Sequence, residues 1–119
     1  MLPNHYHVLV ESVPLALVWA VIKRVHGVTS RSWNEADGLT GSRRVWPKYS
    51  DRLIRNDAHY YRALNYVHYN PVKHGYVESP YAWEWSSLPA YLDQRGREWL
   101  RETGRRHVPD DMGSGWDER

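Results

Sequence analysis

Two pairs of residues in this sequence have types and spacings that favour chemistry: His5 with His7, and Tyr66 with Asn70. Residues 5–12 (HYHVLVES) have the β-branched and aromatic composition of a strand. Because alternate side chains of a strand face the same side, the two imidazoles are predicted to lie about 6–7 Å apart and to share a metal ion. Exposed or locally hydrogen-bonded histidines are the alternative interpretation.

Tyr66 and Asn70 lie four residues apart in a predicted helix, which places them on one face. Asn56 is the predicted N-cap, and the helix is predicted to end near Tyr69 because Pro71 disfavours helical geometry at the residue before it. A tyrosine hydroxyl is a nucleophile, and an amide oxygen is a hard metal ligand. Two imidazoles and one amide oxygen suit Mg²⁺ or Mn²⁺ bound to a phosphate rather than a closed zinc site. Simple packing in a tyrosine-rich helix is the alternative for Tyr66.

The elements around these pairs are predicted from apolar periodicity and from turn residues. They are a helix over 14–35, a short edge strand over 45–49, an aromatic loop over 80–85, and short helices over 87–92 and 95–102. A domain over residues 1–103 and a disordered tail over 104–119 are expected. Trp83 and Trp85 in the aromatic loop are interpreted as packing residues, with stacking on a nucleobase as the alternative.

Composition excludes several classes of protein. The chain has 119 residues, enough for one domain. It has no cysteine, which excludes disulfide frameworks, thiolate zinc sites and cysteine nucleophiles. No uninterrupted apolar run reaches 18 residues, so we expect no membrane span and a cytoplasmic location.

Charge is unevenly distributed, although the formal net charge is only +2. Residues 1–75 carry ten basic and five acidic side chains, residues 76–109 carry five of each, and residues 110–119 carry one and four. The first region therefore favours an anionic partner. Candidate contacts to a nucleic-acid backbone are its basic side chains, with solvated surface charge as the alternative. They are Arg62, one turn before Tyr66, and Lys23, Arg24, Arg43, Arg44, Lys48, Arg52 and Arg55.

Several segments resemble one known family. Residues 1–10 (MLPNHYHVLV) resemble the MPNHxHLLV motif of the HUH single-tyrosine transposases. Residues 65–77 (NYVHYNPVKHGYV) resemble the YIHxNPVxxGxV block of one branch, the REP-associated tyrosine transposases. Three further segments match that branch in order: 23–34, 46–55 (WPKYSDRLIR) and 83–87 (WEWSS). The resemblance covers about residues 1–92.

The resemblance implies a role for each of the four residues. His5 and His7 match the two metal ligands, Tyr66 matches the nucleophile, and Asn70 matches the third ligand. It implies metal-dependent cleavage and rejoining of single-stranded DNA at hairpin sequences of the REP type, through a 5′-phosphotyrosine intermediate. The implied cofactor is Mg²⁺ or Mn²⁺, and the implied partner is hairpin DNA in the nucleoid of a bacterial cytoplasm. A non-catalytic hairpin-DNA-binding remnant and a water-using metal phosphodiesterase are the alternatives.

The resemblance also implies a fold. The family has an α+β domain in which an antiparallel sheet carries helices on one face, as in ferredoxin-like or RRM-like folds. Its metal-binding strand follows a first strand and helix, whereas the matching motif here begins at residue 3. We therefore expect this fold without its first strand and helix. The open sheet edge that results predicts a monomer or a dimer associated through that edge.

Overall fold

The computed structural model describes residues 1–109. Within them the chain forms three α-helices, α1 (Leu15–Asp37), α2 (Asp57–Lys73) and α3 (Leu88–Arg106), and one 3₁₀-helix, Pro80–Ala82. The chain divides into two compact units. Val10–Arg52 is called the α1 unit here, and Met1–Leu9 together with residues 53–109 is called the α2–α3 unit.

The prediction of an α+β fold with an antiparallel sheet is wrong, because residues 1–109 contain no β-strand. Residues 5–12 and 45–49, which have strand-like composition, lie outside all helices and form no ladder. Strand propensity reports how well side chains fit a pleated surface, and a sheet exists only where a second strand pairs with the backbone. The predicted association through an open sheet edge loses its basis together with the sheet.

The α1 unit consists of one long helix and a loop that returns to it. The helix confirms the prediction over 14–35 and ends at Gly38, whose φ of 67° is in the left-handed region that favours glycine. In the returning loop, Trp46 stacks on His26 with ring centroids 4.4 Å apart and donates from Nε1 to Thr29 Oγ1 at 2.8 Å. These contacts join residues 17 and 20 positions apart and hold the returning loop against the helix.

Helix α2 begins as predicted and ends later than predicted. Asn56 caps it, since its Oδ1 accepts a hydrogen bond from the His59 amide at 2.9 Å. Pro71 lies inside the helix, which continues to Lys73. A proline in the last turn removes only one backbone hydrogen bond, and the turn closes at Gly75, whose φ is 76°.

Helix α3 packs on α2 and on the 3₁₀-helix. Gly96, with φ 83° and ψ 163°, divides α3 into two helical parts. Two short helices are predicted there, but Gly96 lies inside the second predicted helix, 95–102, rather than between the two. Asn65 of α2 donates from Nδ2 to the carbonyl oxygens of Thr103 at 3.1 Å and His107 at 3.0 Å. The segment predicted as a tail therefore begins within α3, and its residues 110–119 lie outside the described part of the chain.

The apolar core of the α2–α3 unit is small. Its buried members are Leu2, Ala63, Leu64, Tyr66, Leu88 and Leu100. Three buried polar side chains lie among them: His68, Asn70 and Thr103. None of the helices between residues 1 and 109 combines the length and apolar character needed to cross a bilayer.

Candidate functional site

One face of α2 supplies the first half of the candidate site. Tyr66 is 6% exposed and Asn70 is 2% exposed, one helical turn apart. Within residues 1–109, the Tyr66 hydroxyl oxygen is buried and has no hydrogen-bond partner. Burying an unsatisfied hydroxyl costs about 1–3 kcal/mol. A buried polar group left in this state is a candidate for contact with a ligand or a substrate.

The segment Met1–Leu9 supplies the second half of the site. The His5 and His7 rings lie 5.3 Å apart, centroid to centroid, at 88° to each other. The His7 ring lies edge-on to the Tyr66 ring at 5.3 Å, and His5 Nε2 lies 3.2 Å from Asn70 Oδ1. All four residues singled out by type and spacing therefore lie together, although the histidines come from a segment that is not a strand.

Both ring nitrogens of His5 face amide oxygens. Nδ1 lies 2.7 Å from Asn4 Oδ1, and Nε2 lies 3.2 Å from Asn70 Oδ1. A neutral imidazole has one N–H group, so in these amide orientations it can satisfy only one of the two oxygens. A metal ion bound by both Nε2 and Asn70 Oδ1 would make the second contact favourable as well. An N–H donated to Asn4 leaves the Nε2 lone pair directed at Asn70, which is how metal-binding histidines are commonly oriented.

The donor set fits a hard divalent ion held by mixed ligands. Neighbouring ligands of an octahedral ion with bonds of about 2.1 Å lie about 3.0 Å apart, and the Nε2–Oδ1 separation in the site is 3.2 Å. Within residues 1–109, no group of three or more His, Cys, Asp and Glu side chains has the spacing to hold a metal. Any ion at this site would therefore depend on an amide oxygen and on the substrate as well as on imidazole.

Two residues that sequence reasoning missed complete the surroundings of the site. Lys73 Nζ lies 5.3 Å from the centroid of the Tyr66 ring, and the His74 ring lies 5.0 Å from the His5 ring. Burial lowers the pKa of His74, and the positive charges of His5 and Lys73 lower it further. These residues are seven and eight positions after Tyr66, which is two helical turns. Continuing the helix through Pro71 would have found them.

Comparison with known proteins identifies the family. The chain is 30% identical over 97 residues, 74% of its length, to a protein of Haemophilus influenzae provisionally named a REP-associated tyrosine transposase. It is 28% identical over 93 residues, again 74% of its length, to the REP-associated tyrosine transposase of Escherichia coli K12. The chain belongs to the REP-associated tyrosine transposase family.

The extent of this similarity is limited. The chain spans about half the length of these family members, 55% of the first and 50% of the second. No family model matches the sequence, and no solved structure matches it.

A cavity of about 360 Å³ in the α2–α3 unit is lined by two of the four site residues. His7 and Asn70 line it, together with the rings of Tyr6, Trp83 and Trp85. Trp83 is half-buried and donates from Nε1 to the Met1 carbonyl at 2.9 Å. Trp85, in contrast, is 61% exposed. The packing interpretation therefore suits Trp83, whereas most of the Trp85 side chain is left uncovered.

His68 has a structural position beside this cavity. It is buried in α2, and its Nε2 lies 2.7 Å from Ser87 Oγ, at the start of α3. Burial lowers the pKa of His68 to about 4. The imidazole is therefore neutral near pH 7 and links α2 to α3.

The basic side chains predicted to contact DNA belong to both units. Arg62 is half-buried in α2, and Arg55 is exposed just before α2. The α1 unit holds the other candidates: Lys23, Arg24, Arg43, Arg44, Lys48 and Arg52. Arg43 and Arg44 make hydrogen bonds within that unit.

Arg43 donates from Nε to Asn34 Oδ1 at 2.9 Å and forms a salt bridge with Asp37, also at 2.9 Å. Arg44 donates from Nε to the Trp46 carbonyl at 3.1 Å. Both guanidinium groups therefore help to shape the loop after α1, which is a structural use for side chains singled out by charge alone.

Proposed function

We propose that this chain cleaves and rejoins single-stranded DNA at hairpin sequences of the REP type, and that Tyr66 is the nucleophile. The observation that carries the proposal is the buried Tyr66 hydroxyl, which lacks a hydrogen-bond partner within residues 1–109 and lies beside His7. Membership in the transposase family supports a DNA substrate. The proposal places the protein on the nucleoid of a bacterial cytoplasm.

In the proposed reaction, the Tyr66 oxygen attacks the scissile phosphorus of the DNA strand. A bond forms between this oxygen and phosphorus, and the bond from phosphorus to the 3′ oxygen breaks. The phenolic proton is released, and the leaving 3′ oxygen takes up a proton to become a free 3′-OH. The 5′ end of the downstream strand remains attached to Tyr66 as a phosphodiester.

His5, His7 and Asn70 would hold Mg²⁺ or Mn²⁺ at this site. Such an ion, when bound, neutralises charge on the scissile phosphate and stabilises the attacking and leaving oxygens. The chain itself positions the reactants. The edge-on His7 ring restricts the orientation of the Tyr66 ring, and Asn4 orients His5 through Nδ1. A neutral phenol has a pKa near 10 and is a poor nucleophile without such help.

Lys73 provides a further positive charge in the proposed reaction. Its side chain is exposed, and its Nζ lies over the Tyr66 ring at 5.3 Å from the centroid. An ammonium group there can bind a non-bridging oxygen of the phosphate that Tyr66 attacks. It would draw the DNA backbone onto the nucleophile without itself exchanging a proton.

A covalent phosphotyrosine intermediate explains how the strand could be rejoined. The phosphodiester bond to Tyr66 keeps the free energy of the bond that was broken, so a second 3′-OH can displace Tyr66 without ATP. Hydrolysis by water would lose that bond. Rejoining therefore favours a protein nucleophile over a metal-bound hydroxide.

The test is a covalent-adduct assay. The full chain is incubated with Mn²⁺ and an end-labelled library of single-stranded DNA that has a fixed hairpin and randomised flanks. Adducts are resolved by denaturing electrophoresis. We expect the wild type to form an adduct, and Tyr66→Phe to reduce it at least about 1,000-fold because the attacking oxygen is absent.

The matched control is Tyr69→Phe, in the same helix and 51% exposed, which should form the adduct at the wild-type level. An adduct that persists in Tyr66→Phe would show that another residue is the nucleophile. Cleavage without an adduct would point to a water-using phosphodiesterase. Hairpin binding without cleavage would point to a non-catalytic remnant.

A further inference from the structure

Trp85 is placed in a way that packing does not explain. It is 61% exposed, yet it lines the cavity that also contains His7 and Asn70. A large aromatic side chain left in water forgoes much of the stabilisation that burial would give it. The Trp85 carbonyl accepts a hydrogen bond from the Met1 nitrogen, and Nε1 of the neighbouring Trp83 donates to the Met1 carbonyl. The exposed ring therefore lies at the cavity on a segment that is hydrogen-bonded to Met1.

The cavity wall is chemically suited to a flat, uncharged ring. Besides Trp85, it includes the aromatic rings of Tyr6, Tyr60, Trp83 and Tyr91, and no carboxylate from residues 1–109 lines it. Its volume of about 360 Å³ is at the small end of the range for ligand sites, about 300–1,000 Å³. This volume suits one heterocyclic base and part of its sugar, and it is too small for a helix or a base pair.

The polar atoms of the wall favour stacking over readout of the base edge. Ser86 Oγ accepts a hydrogen bond from the Leu88 amide at 3.0 Å, and Ser87 Oγ is joined to His68 at 2.7 Å. Each of these hydroxyls already uses part of its hydrogen-bonding capacity within the protein, which leaves less of it for the edge of a base. A pocket of this kind binds a nucleotide that carries a base more tightly than an abasic one, and it accepts different bases.

The cavity is continuous with the proposed site of strand cleavage. His7 and Asn70 belong to both, since they line the cavity and contact Tyr66 and His5 respectively. A phosphate held at Tyr66 would therefore have a neighbouring nucleotide beside the cavity mouth. This continuity favours a nucleotide of the same strand over an unrelated small molecule.

We infer that this cavity binds one unpaired nucleobase of the DNA strand, next to the phosphate at Tyr66, and that the base stacks on Trp85. The identity of the strand rests on the proposed function. The stacked base would fix the strand in register, so that one particular phosphate faces Tyr66. Trp85 is in this sense a positioning residue for the reaction.

The test compares two single-stranded probes with the same number of phosphates. One is a thymidine decamer, and the other is a decamer of abasic deoxyribose phosphates. Dissociation constants are measured by anisotropy in EDTA, so that no strand is cleaved. We expect Trp85→Ala to weaken binding of the thymidine decamer about 5- to 100-fold, the range for loss of one stacked base. Its binding to the abasic decamer should stay within about twofold of the wild type.

Two variants serve as controls. Trp85→Tyr should keep most of the preference for the thymidine decamer, because it keeps an aromatic face. Trp19→Ala, which removes a 45% exposed tryptophan from α1, should keep all of it. Circular dichroism spectra and thermal midpoints of the variants should match the wild type, because Trp85 contributes little buried surface.

Three results would overturn the inference. They are equal effects of Trp85→Ala on both probes, no effect on either, and an equal loss of preference in Trp19→Ala. A protein occupant, such as a second copy of the chain, would instead make Trp85→Ala change the sedimentation coefficient while leaving the probe affinities unchanged. The covalent-adduct assay separates the two proposals. If the chain forms the adduct but its preference for the thymidine decamer does not depend on Trp85, only the base-binding inference is refuted. If the preference depends on Trp85 but no adduct forms, only the proposed role of Tyr66 is refuted.

Discussion

Helices α1 and α2 contain similar kinds of residues and use them differently. In α1, apolar side chains such as Leu17, 55% exposed, lie largely in contact with water. In α2, Leu64 is 3% exposed, and the polar His68 and Asn70 are buried beside it. Helix α1 buries one polar side chain, Asn34, whereas the candidate site is on α2, which buries polar and apolar side chains together.

The partners of these side chains differ in the same way. Asn34 of α1 bonds to Arg43, nine residues later, whereas Asn70 of α2 faces His5 from a distance of 65 residues. The contacts described for the α1 unit thus join residues at most 20 positions apart. The α2 face that carries Tyr66 depends on segments brought from both ends of the described chain. Chemistry is concentrated where long-range packing fixes polar groups, and this contrast can be measured.

The largest expected effect on stability comes from shortening a buried core side chain of α2. Leu64→Ala should lower the free energy of unfolding by about 2–5 kcal/mol, because it removes buried methyl groups and leaves a cavity. The same change at the exposed Leu17 of α1 should cost less than about 1 kcal/mol. Urea unfolding followed by circular dichroism measures both. Equal losses would show that α1 is packed as tightly as α2 and would remove the contrast.

The next effect is a loss of stability in acid caused by His68. Its pKa in the folded chain is about 4, below the usual 6.5, so the unfolded chain binds more protons between these values. The free energy of unfolding should therefore fall as the pH drops from about 6.5 to 4, by about 3 kcal/mol for this residue. His68→Gln should remove that contribution when urea unfolding is compared at pH 7 and pH 4.

The matched variant in the other unit is His26→Gln. Burial also lowers the pKa of His26, which stacks on Trp46 in the α1 unit. We expect this variant to change the pH dependence less than His68→Gln, because His26 is less deeply enclosed. A larger change from His26 would indicate that the more strongly desolvated histidine lies in the α1 unit.

Local signals in the sequence predicted the helices well. The Asn56 cap and the apolar repeat of α1 depend on residues within a few positions of one another. The same kind of local signal failed at Pro71. A proline disfavours helical geometry at the residue before it, but this is only a preference, and the last turn of α2 continues through Pro71 to Lys73. That error hid Lys73 and His74 from the predicted site.

The absence of a sheet within residues 1–109 could not be predicted from residues 5–12, because a strand requires a partner that local composition does not specify. Spacing nevertheless predicted that His5 and His7 would lie near each other, and their ring centroids are 5.3 Å apart. Their approach to Tyr66 and Asn70 was implied by family resemblance rather than by periodicity. The roles of these four residues remain predictions. The cavity at Trp85 could not be predicted from the sequence, because the exposure of the Trp85 side chain depends on contacts between segments that are distant in sequence.

The smallest expected effects test whether α1 depends on its own backbone. Gly27 lies inside α1, and an added Cβ would meet no atom within 4 Å. Gly27→Ala should therefore raise the free energy of unfolding by about 0.5–1 kcal/mol, as alanine favours a helix interior. Gly38→Ala has equally open surroundings but a φ of 67°, so it should lower the free energy of unfolding by about 1 kcal/mol. Urea unfolding of the two variants should give shifts of opposite sign. Shifts of the same sign would mean that contacts beyond the local backbone decide the stability of α1, which would contradict its contrast with α2.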